Sequence, residues 1–220
     1  MPSKSLQKLY GKDYFYSGKN WADGYKSYEK FSTKEGNTWG FLVDRIAEKK
    51  SGGDILEIGC ALGYFVNFFP DSFSKYGTDL SEFAIKEAGK RFPSAKFTAC
   101  DISEKRPFSK KFDVITALDV LEHTLNLRGA LENISSMMKD DSLLVVAVPI
   151  ASRWHHFLAW LGKSFLTTMP SHLTLTTRDA WANIIFRDYF EIVEEFPSTW
   201  GRRYVWPLNL FQIFFLKKKK

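Results

Sequence analysis

Four carboxylates stand at the ends of short apolar runs between residues 55 and 120 of this 220-residue chain: Glu57, Asp79, Asp101 and Asp119. The first belongs to Asp54-Ile55-Leu56-Glu57-Ile58-Gly59-Cys60-Ala61-Leu62-Gly63, and 22 residues beyond it comes Gly77-Thr78-Asp79-Leu80. These residues spell a buried strand, a glycine-bearing turn, a helix start and a second strand closed by an acid. Such a unit suits an adenosine-containing ligand. Glycines admit a ligand close to the backbone, the helix start offers free N–H groups, and the acid can accept two ribose hydroxyls. Ligands of open parallel sheets bind at the carboxyl ends of strands, so an acid at four successive strand ends says more than any one motif.

Spacing decides which ligand. A dinucleotide fingerprint needs glycines at 59, 61 and 64, but this chain has Ala61 and Tyr64. Glu57 would repel a pyrophosphate, whereas it suits a ligand carrying an ammonium and a sulfonium. Glu-x-Gly-x-x-x-Gly resembles the first motif of class I S-adenosylmethionine-dependent methyltransferases, with Ala61 where that family usually has a glycine. A second stretch, Phe112-Asp113-Val114-Ile115-Thr116-Ala117-Leu118-Asp119-Val120-Leu121-Glu122-His123, resembles the fourth-strand motif of the small-molecule, ubiquinone-biosynthesis-like group (methyltransferase types 11 and 23). The likeness spans about residues 40–195. No Asn-Pro-Pro-Tyr or Asp-Pro-Pro-Tyr run follows Leu118, the mark of enzymes that methylate nucleic-acid bases.

The resemblance implies S-adenosyl-L-methionine as cofactor and assigns the site. Asp79, with Leu80 beside it, is expected at the ribose, and Asp101 and Ile102 at the adenine. Gly59, Cys60, Ala61 and Gly63 lie beneath the methionine portion, Glu57 orients that loop, and Leu118 closes the end of strand four. Methyl transfer is an in-line displacement governed by positioning of the acceptor, and a histidine can take the proton of a hydroxyl acceptor near neutral pH. His123 and His172 are the two residues expected in that role, while His155 and His156 are expected at the surface. Trp154, Phe157 and Trp160, in the acid-free segment after strand five, are expected in a lid over the acceptor. Core packing and membrane-surface contact are the other readings of that segment.

The elements that position these groups follow from periodicity. Trp39, Leu42, Val43 and Ile46 mark a helix within Asn37–Lys50. Strands are expected at Ile55–Ile58, Tyr76–Asp79, Lys96–Cys100, Phe112–Leu118, Leu143–Val148, Tyr189–Glu195 and Leu210–Leu216. Helices intervene at Leu62–Phe69, from Ser81 to Arg91, around Leu127, Leu131, Ile134 and Met138, and from Thr177 through Trp181, Ile184 and Ile185. Strands alternating with helices mean a mostly parallel sheet covered on both faces. The fold class is α/β, Rossmann-like, with seven strands and, by the resemblance, an antiparallel last strand. One domain is expected over 1–220, with an N-terminal cap and helix (1–50), a cofactor-binding core (51–150), a lid-like insertion (151–176) and a C-terminal helix and strands (177–220). The aromatic segment Tyr10–Tyr16 is expected to fold over the cofactor mouth.

Composition narrows the partners. The net charge of +6 comes from Arg202, Arg203 and Lys217–Lys220; without them the chain has 25 basic and 25 acidic residues. A balanced body argues against a nucleic-acid partner, and the lysine run is expected to be solvated, with weak anionic-membrane contact as its other use. Two cysteines point to a reducing compartment, and the histidine spacings contain no metal set. With no 18-residue apolar run and no apolar leader after Met1, a cytoplasmic enzyme is expected. Its acceptor is a small molecule, with oxygen favoured: a surface-glycan sugar, a quinone-like ring or a natural-product intermediate. A nicotinamide oxidoreductase and a non-catalytic binding module are the rivals from other classes.

Overall fold

The computed structural model describes residues 10–17, 25, 27–151, 173–198 and 211–219. In chain order these form α1 (Lys12–Tyr16), a 3-10 turn (Tyr28–Phe31), α2 (Phe41–Lys49), β1 (Gly53–Ile58), α3 (Tyr64–Asn67), β2 (Phe73–Asp79), α4 (Glu82–Arg91) and β3 (Lys96–Ala99). There follow β4 (Phe112–Leu118), a 3-10 turn (Leu121–His123), α5 (Leu127–Met137), β5 (Met138–Pro149), α6 (Arg178–Ala180, continuing as a π-turn over Trp181–Ile185), β6 (Phe190–Ser198) and β7 (Phe211–Lys218).

The strands make one seven-stranded sheet in the order β3-β2-β1-β4-β5-β7-β6. Pairings from β3 through β5 are parallel, and β7 runs antiparallel between β5 and β6. Successive side chains of a strand point to opposite faces, so the apolar runs of β1, β4 and β5 feed two cores. Leu56, Ile115, Leu144 and Val146 join Ile134 and Trp181 on one face. Ile55, Val114 and Val145 join Leu42 and Ile46 of α2 on the other. The helix starts use side-chain caps: Ser81, Asn126 and Thr177 accept from the backbone N–H groups of Ala84, Gly129 and Ala180.

Sequence order reverses at β1, with β2 and β3 on one side and β4 and β5 on the other. The crevice that forms at such a switch point lies between the residues that follow β1 and those that follow β4.

The elements depart from expectation in several places. Trp39 precedes α2 instead of lying on it, and Met138 opens β5 instead of closing α5, so β5 is longer than Leu143–Val148. Only Tyr64–Asn67 of the expected Leu62–Phe69 helix is helical, because Gly63 just before it adopts a positive φ. Ile184, expected on one α-helix with Trp181, lies instead in the π-turn and is 73% exposed. The lysine run is exposed at Lys217 and Lys219, as expected, but the last strand runs further than Leu216. β7 continues to Lys218, with Lys217 opposite Glu191 and Lys218 opposite Phe190, an arrangement that favours opposite charges across strands.

Candidate active site

The turn after β1 is held by the carboxylates that end β1 and β2. Glu57 Oε2 accepts the Val66 N–H of α3 at 3.0 Å. Asp79 accepts the Ala61 N–H at 2.9 Å through one oxygen and the Ser81 N–H at 2.8 Å through the other. Gly59 and Cys60 N–H both donate to the Thr78 carbonyl, at 2.7 and 3.0 Å. This clamp draws the backbone into the left-handed region at Gly59, Ala61 and Gly63, with φ of 73°, 47° and 80°. Gly59 has no alternative, because a Cβ there would lie 2.3 Å from Val120 Cγ2. Ala61 takes a conformation that L-residues other than Asn and Asp seldom visit, which explains why a glycine is usual at that place in the motif.

Over this turn lies a cavity of about 220 Å³ at the switch point. Glu57, Asp79, Asp101 and Asp119 all line it, and none of its described lining residues is Lys or Arg. Its roof is aromatic: Tyr10, Tyr14, Tyr25 and Tyr28 contact one another edge-on, with ring centroids 4.8–5.5 Å apart. The roof is tied down at two points. Ser81 Oγ donates to the Tyr10 carbonyl at 2.5 Å, and Glu29 accepts from Tyr64, from Arg91 at 3.0 Å and from Tyr16 at 3.4 Å. Burial, reinforced by the acids, raises the tyrosine hydroxyls; Tyr10 is pushed up to about 12, by burial first and then by Asp79 and Glu122. Tyr28 is raised too, by burial and then by Glu57. The tyrosines therefore stay neutral at any physiological pH.

Asp119 is the second non-glycine residue in the left-handed region, with φ 56°. Its Oδ2 accepts Trp39 Nε1–H at 3.0 Å, while its Oδ1 is buried with no hydrogen-bond partner. Glu122, one turn on and 1% exposed, also has a buried unpartnered oxygen, Oε2. Burial raises both groups, Asp119 to about 7, with the Trp39 N–H pulling it back; for Glu122, the Asp119 charge adds to burial. His123 lines the same cavity with Nε2 3.8 Å from Glu122 Oε1.

The structure brings Glu57, Gly59, Cys60, Ala61, Asp79, Leu80, Asp101, Ile102, Leu118 and His123 to this one cavity. Gly63 stands just behind, as the residue before α3. Asp101 holds its own loop, accepting Ser103 N–H at 2.9 Å and Ser103 Oγ–H at 2.6 Å. Both cysteines are buried and free, and burial raises both thiols. His172, Trp154, Phe157 and Trp160 lie outside the described residues, as do His155 and His156. Sequence reasoning assigned no role to Trp39, Tyr25, Tyr28 or Glu122. Trp39 sits at helical spacing with Leu42, and nothing local reveals a partner 80 residues away. Among the described residues there is no metal-binding group of three or more ligands and no helix long and apolar enough to cross a membrane.

An acid-lined cavity over a glycine turn, at the switch point of a sheet with an antiparallel β7, defines a nucleoside-cofactor site of the methyltransferase type. A family model described as a methyltransferase domain matches residues 33–195, and the chain belongs to that family, the class I S-adenosylmethionine-dependent methyltransferases. It is similar to (S)-coclaurine N-methyltransferase of Papaver somniferum, 32% identical over 171 residues that cover 72% of this chain and 47% of that one. Similarity to malonyl-[acyl-carrier protein] O-methyltransferase 2 of Ilyobacter polytropus is 27% over 134 residues, covering 58% and 51%. The chain spans about half the length, or less, of the curated relatives it matches. The fold is shared with magnesium protoporphyrin IX methyltransferase from Synechocystis PCC 6803, solved with bound SAH, at a TM-score of 0.65 and 16% identity over 98% of this chain and 94% of that one.

The residues present fit the cofactor, S-adenosylmethionine. A cavity with four carboxylates and no Lys or Arg among its described lining residues accepts a ligand with cationic groups and rejects a pyrophosphate. Asp79 would hold the ribose hydroxyls, Asp101 and Ile102 the adenine, and the turn from Gly59 to Gly63 the methionine end.

Proposed function

We propose that this protein transfers a methyl group from S-adenosylmethionine to a small-molecule acceptor, with an oxygen atom as the favoured site. The observation that carries the reading is the cavity of four carboxylates under a roof of four tyrosines, free of Lys and Arg among its described lining residues. When bound, the cofactor supplies an electrophilic methyl group on a sulfonium. The chain's own contribution is positional. The clamped turn fixes one wall, the tyrosine roof restricts water, and His123 at the cavity wall takes the proton of a hydroxyl acceptor near neutral pH. Malonyl-[acyl-carrier protein] O-methyltransferases among the relatives support the oxygen preference, and the coclaurine N-methyltransferase supports nitrogen as the second reading. Two free buried cysteines support a reducing, cytoplasmic setting.

Binding tests the reading. S-adenosylhomocysteine at 100 times its Kd should stabilise the fold by about 2.7 kcal/mol, whereas NAD and NADP should leave it unchanged. Asp79→Ala should abolish most of that stabilisation, because the ribose hydroxyls lose their acceptor. Equal stabilisation by NAD, or an Asp79→Ala protein that binds like wild type, would remove the cofactor assignment.

A further inference from the structure

The cofactor reading, on which this inference rests, gives a specific contact to three of the four cavity carboxylates and none to the fourth. Asp79 has both oxygens on backbone N–H groups, Asp101 is held by Ser103, and Glu57 caps the turn into α3. Asp119 is different. One oxygen is fixed by Trp39 and the other is buried without a partner. Leaving a buried charged acceptor unsatisfied is costly, and unsatisfied groups of this kind mark places where a ligand completes the bonding. Glu122 adds a second observation: a side chain 1% exposed with its own unpartnered oxygen, one turn away.

We propose that Asp119, backed by Glu122, is the anchor for a positively charged amine on the methyl acceptor. The surroundings fit a cation and little else. Trp39 meets the carboxylate through its indole N–H and Tyr25 lines the same cavity, so an ammonium there would gain from the carboxylate and from neighbouring aromatic rings. No Lys or Arg is found among the described lining residues to compete for the charge. Beyond His123 the cavity wall continues to Leu125, an apolar side chain 51% exposed, so the anchored group would reach solvent along an apolar rim. The acceptor class is therefore a small molecule carrying an amine next to an apolar or aromatic body. The amine serves as the handle, and the methylated atom is a separate matter.

The experiment compares phenethylamine with its neutral counterpart 2-phenylethanol as ligands of the full chain saturated with S-adenosylhomocysteine, by calorimetry at pH 8. The amine should bind at least about tenfold tighter than the alcohol, the worth of one charge-assisted contact. Asp119→Asn should erase that preference. Asparagine keeps the shape, tolerates a left-handed φ and can still accept from Trp39, so the variant should fold. S-adenosylhomocysteine should still bind the variant, through Asp79, Asp101 and the turn from Gly59 to Gly63. Equal binding of amine and alcohol would overturn the proposal, as would an amine preference that survives in Asp119→Asn. So would a variant that loses affinity for S-adenosylhomocysteine while keeping it for 5′-methylthioadenosine, which would give Asp119 to the cofactor's own amino group. Failure of S-adenosylhomocysteine to bind the wild-type chain would sink the cofactor reading instead, a separately visible result.

Discussion

Trp39 Nε1 donates to Asp119 Oδ2 at 3.0 Å, joining the segment before α2 to the residue just after β4 across 80 positions of sequence. The bond does two things at once. It holds the carboxylate at the cavity wall, and it satisfies only one of its oxygens, so burial still lifts Asp119 to about 7. A group held in that state weakens the ligand-free fold.

The sign of this effect makes a pH prediction. The folded-state pKa of Asp119 lies above its ordinary 3.8, so the folded form binds more protons between those values and stability falls as pH rises through that window. Asp119→Asn removes the term. The ligand-free variant should be more stable than wild type at pH 8, by about 1 kcal/mol or more, or roughly 2–4 °C in Tm for a chain of this size. The gain should vanish near pH 4. Thermal melts at the two pH values check this, and a variant less stable at pH 8 would mean that the carboxylate is fully compensated.

Gly59→Ala should be among the most damaging single changes. It adds a Cβ 2.3 Å from Val120 Cγ2 and forces a side chain into a positive φ, for an expected loss of about 2–4 kcal/mol from overpacking and backbone strain together. Chemical denaturation measures it. The double variant Gly59→Ala, Val120→Ala should recover part of that loss, and no recovery would mean that the backbone term dominates.

Ala61→Gly should act in the opposite direction. Ala61 sits at φ 47° while its N–H is bonded to Asp79, so glycine relieves strain and keeps the bond. A gain of about 0.5–1 kcal/mol is expected, with S-adenosylhomocysteine affinity unchanged or improved. A destabilised variant would show that the Ala61 methyl group contributes packing worth more than the strain.

The roof supplies a kinetic prediction. Glu29 ties Tyr64, Arg91 and Tyr16 together next to Tyr28, whose ring lines the cavity. Because the Glu29 side chain is 49% exposed, Glu29→Ala should cost less than about 1 kcal/mol of stability. It should nevertheless speed S-adenosylhomocysteine release several-fold, as read by stopped-flow displacement, because the roof lifts more readily. Unchanged release would mean that the roof does not gate the cofactor.

Much of this architecture is legible from local signals. The strand ends at Ile58, Asp79 and Leu118 were readable because apolar runs stop at acids and glycines, and both decisions are made within a few residues. Ser81 and Thr177 announced helix starts for the same reason. What escaped was long-range. Trp39 looked like a helix residue because its spacing to Leu42 and Ile46 fits one, and only the folded chain brings it to Asp119. Tyr10 and Tyr14 of the roof belong to the segment expected over the cofactor mouth, but Tyr25 and Tyr28 have no period to betray them, and nothing local shows that Glu122 is buried. The continuation of β7 into Lys217 and Lys218 was hidden too, since charged residues look like a strand's end unless a partner such as Glu191 is known.

The place of β7 in the sheet has a consequence for how the chain is made. Leu144 pairs with Leu216, and β6, synthesised earlier, joins the sheet by pairing with β7. Until residues 211–218 emerge, the apolar run of β5 presents an open edge and β6 has nothing to bind. Such an edge is a template for pairing with other chains, and contacts this distant in sequence form late. Nascent chains are therefore most vulnerable to aggregation in the interval between β5 and β7. Changes that weaken β7, far from the cavity, should show up as poor soluble yield before they show up as altered catalysis.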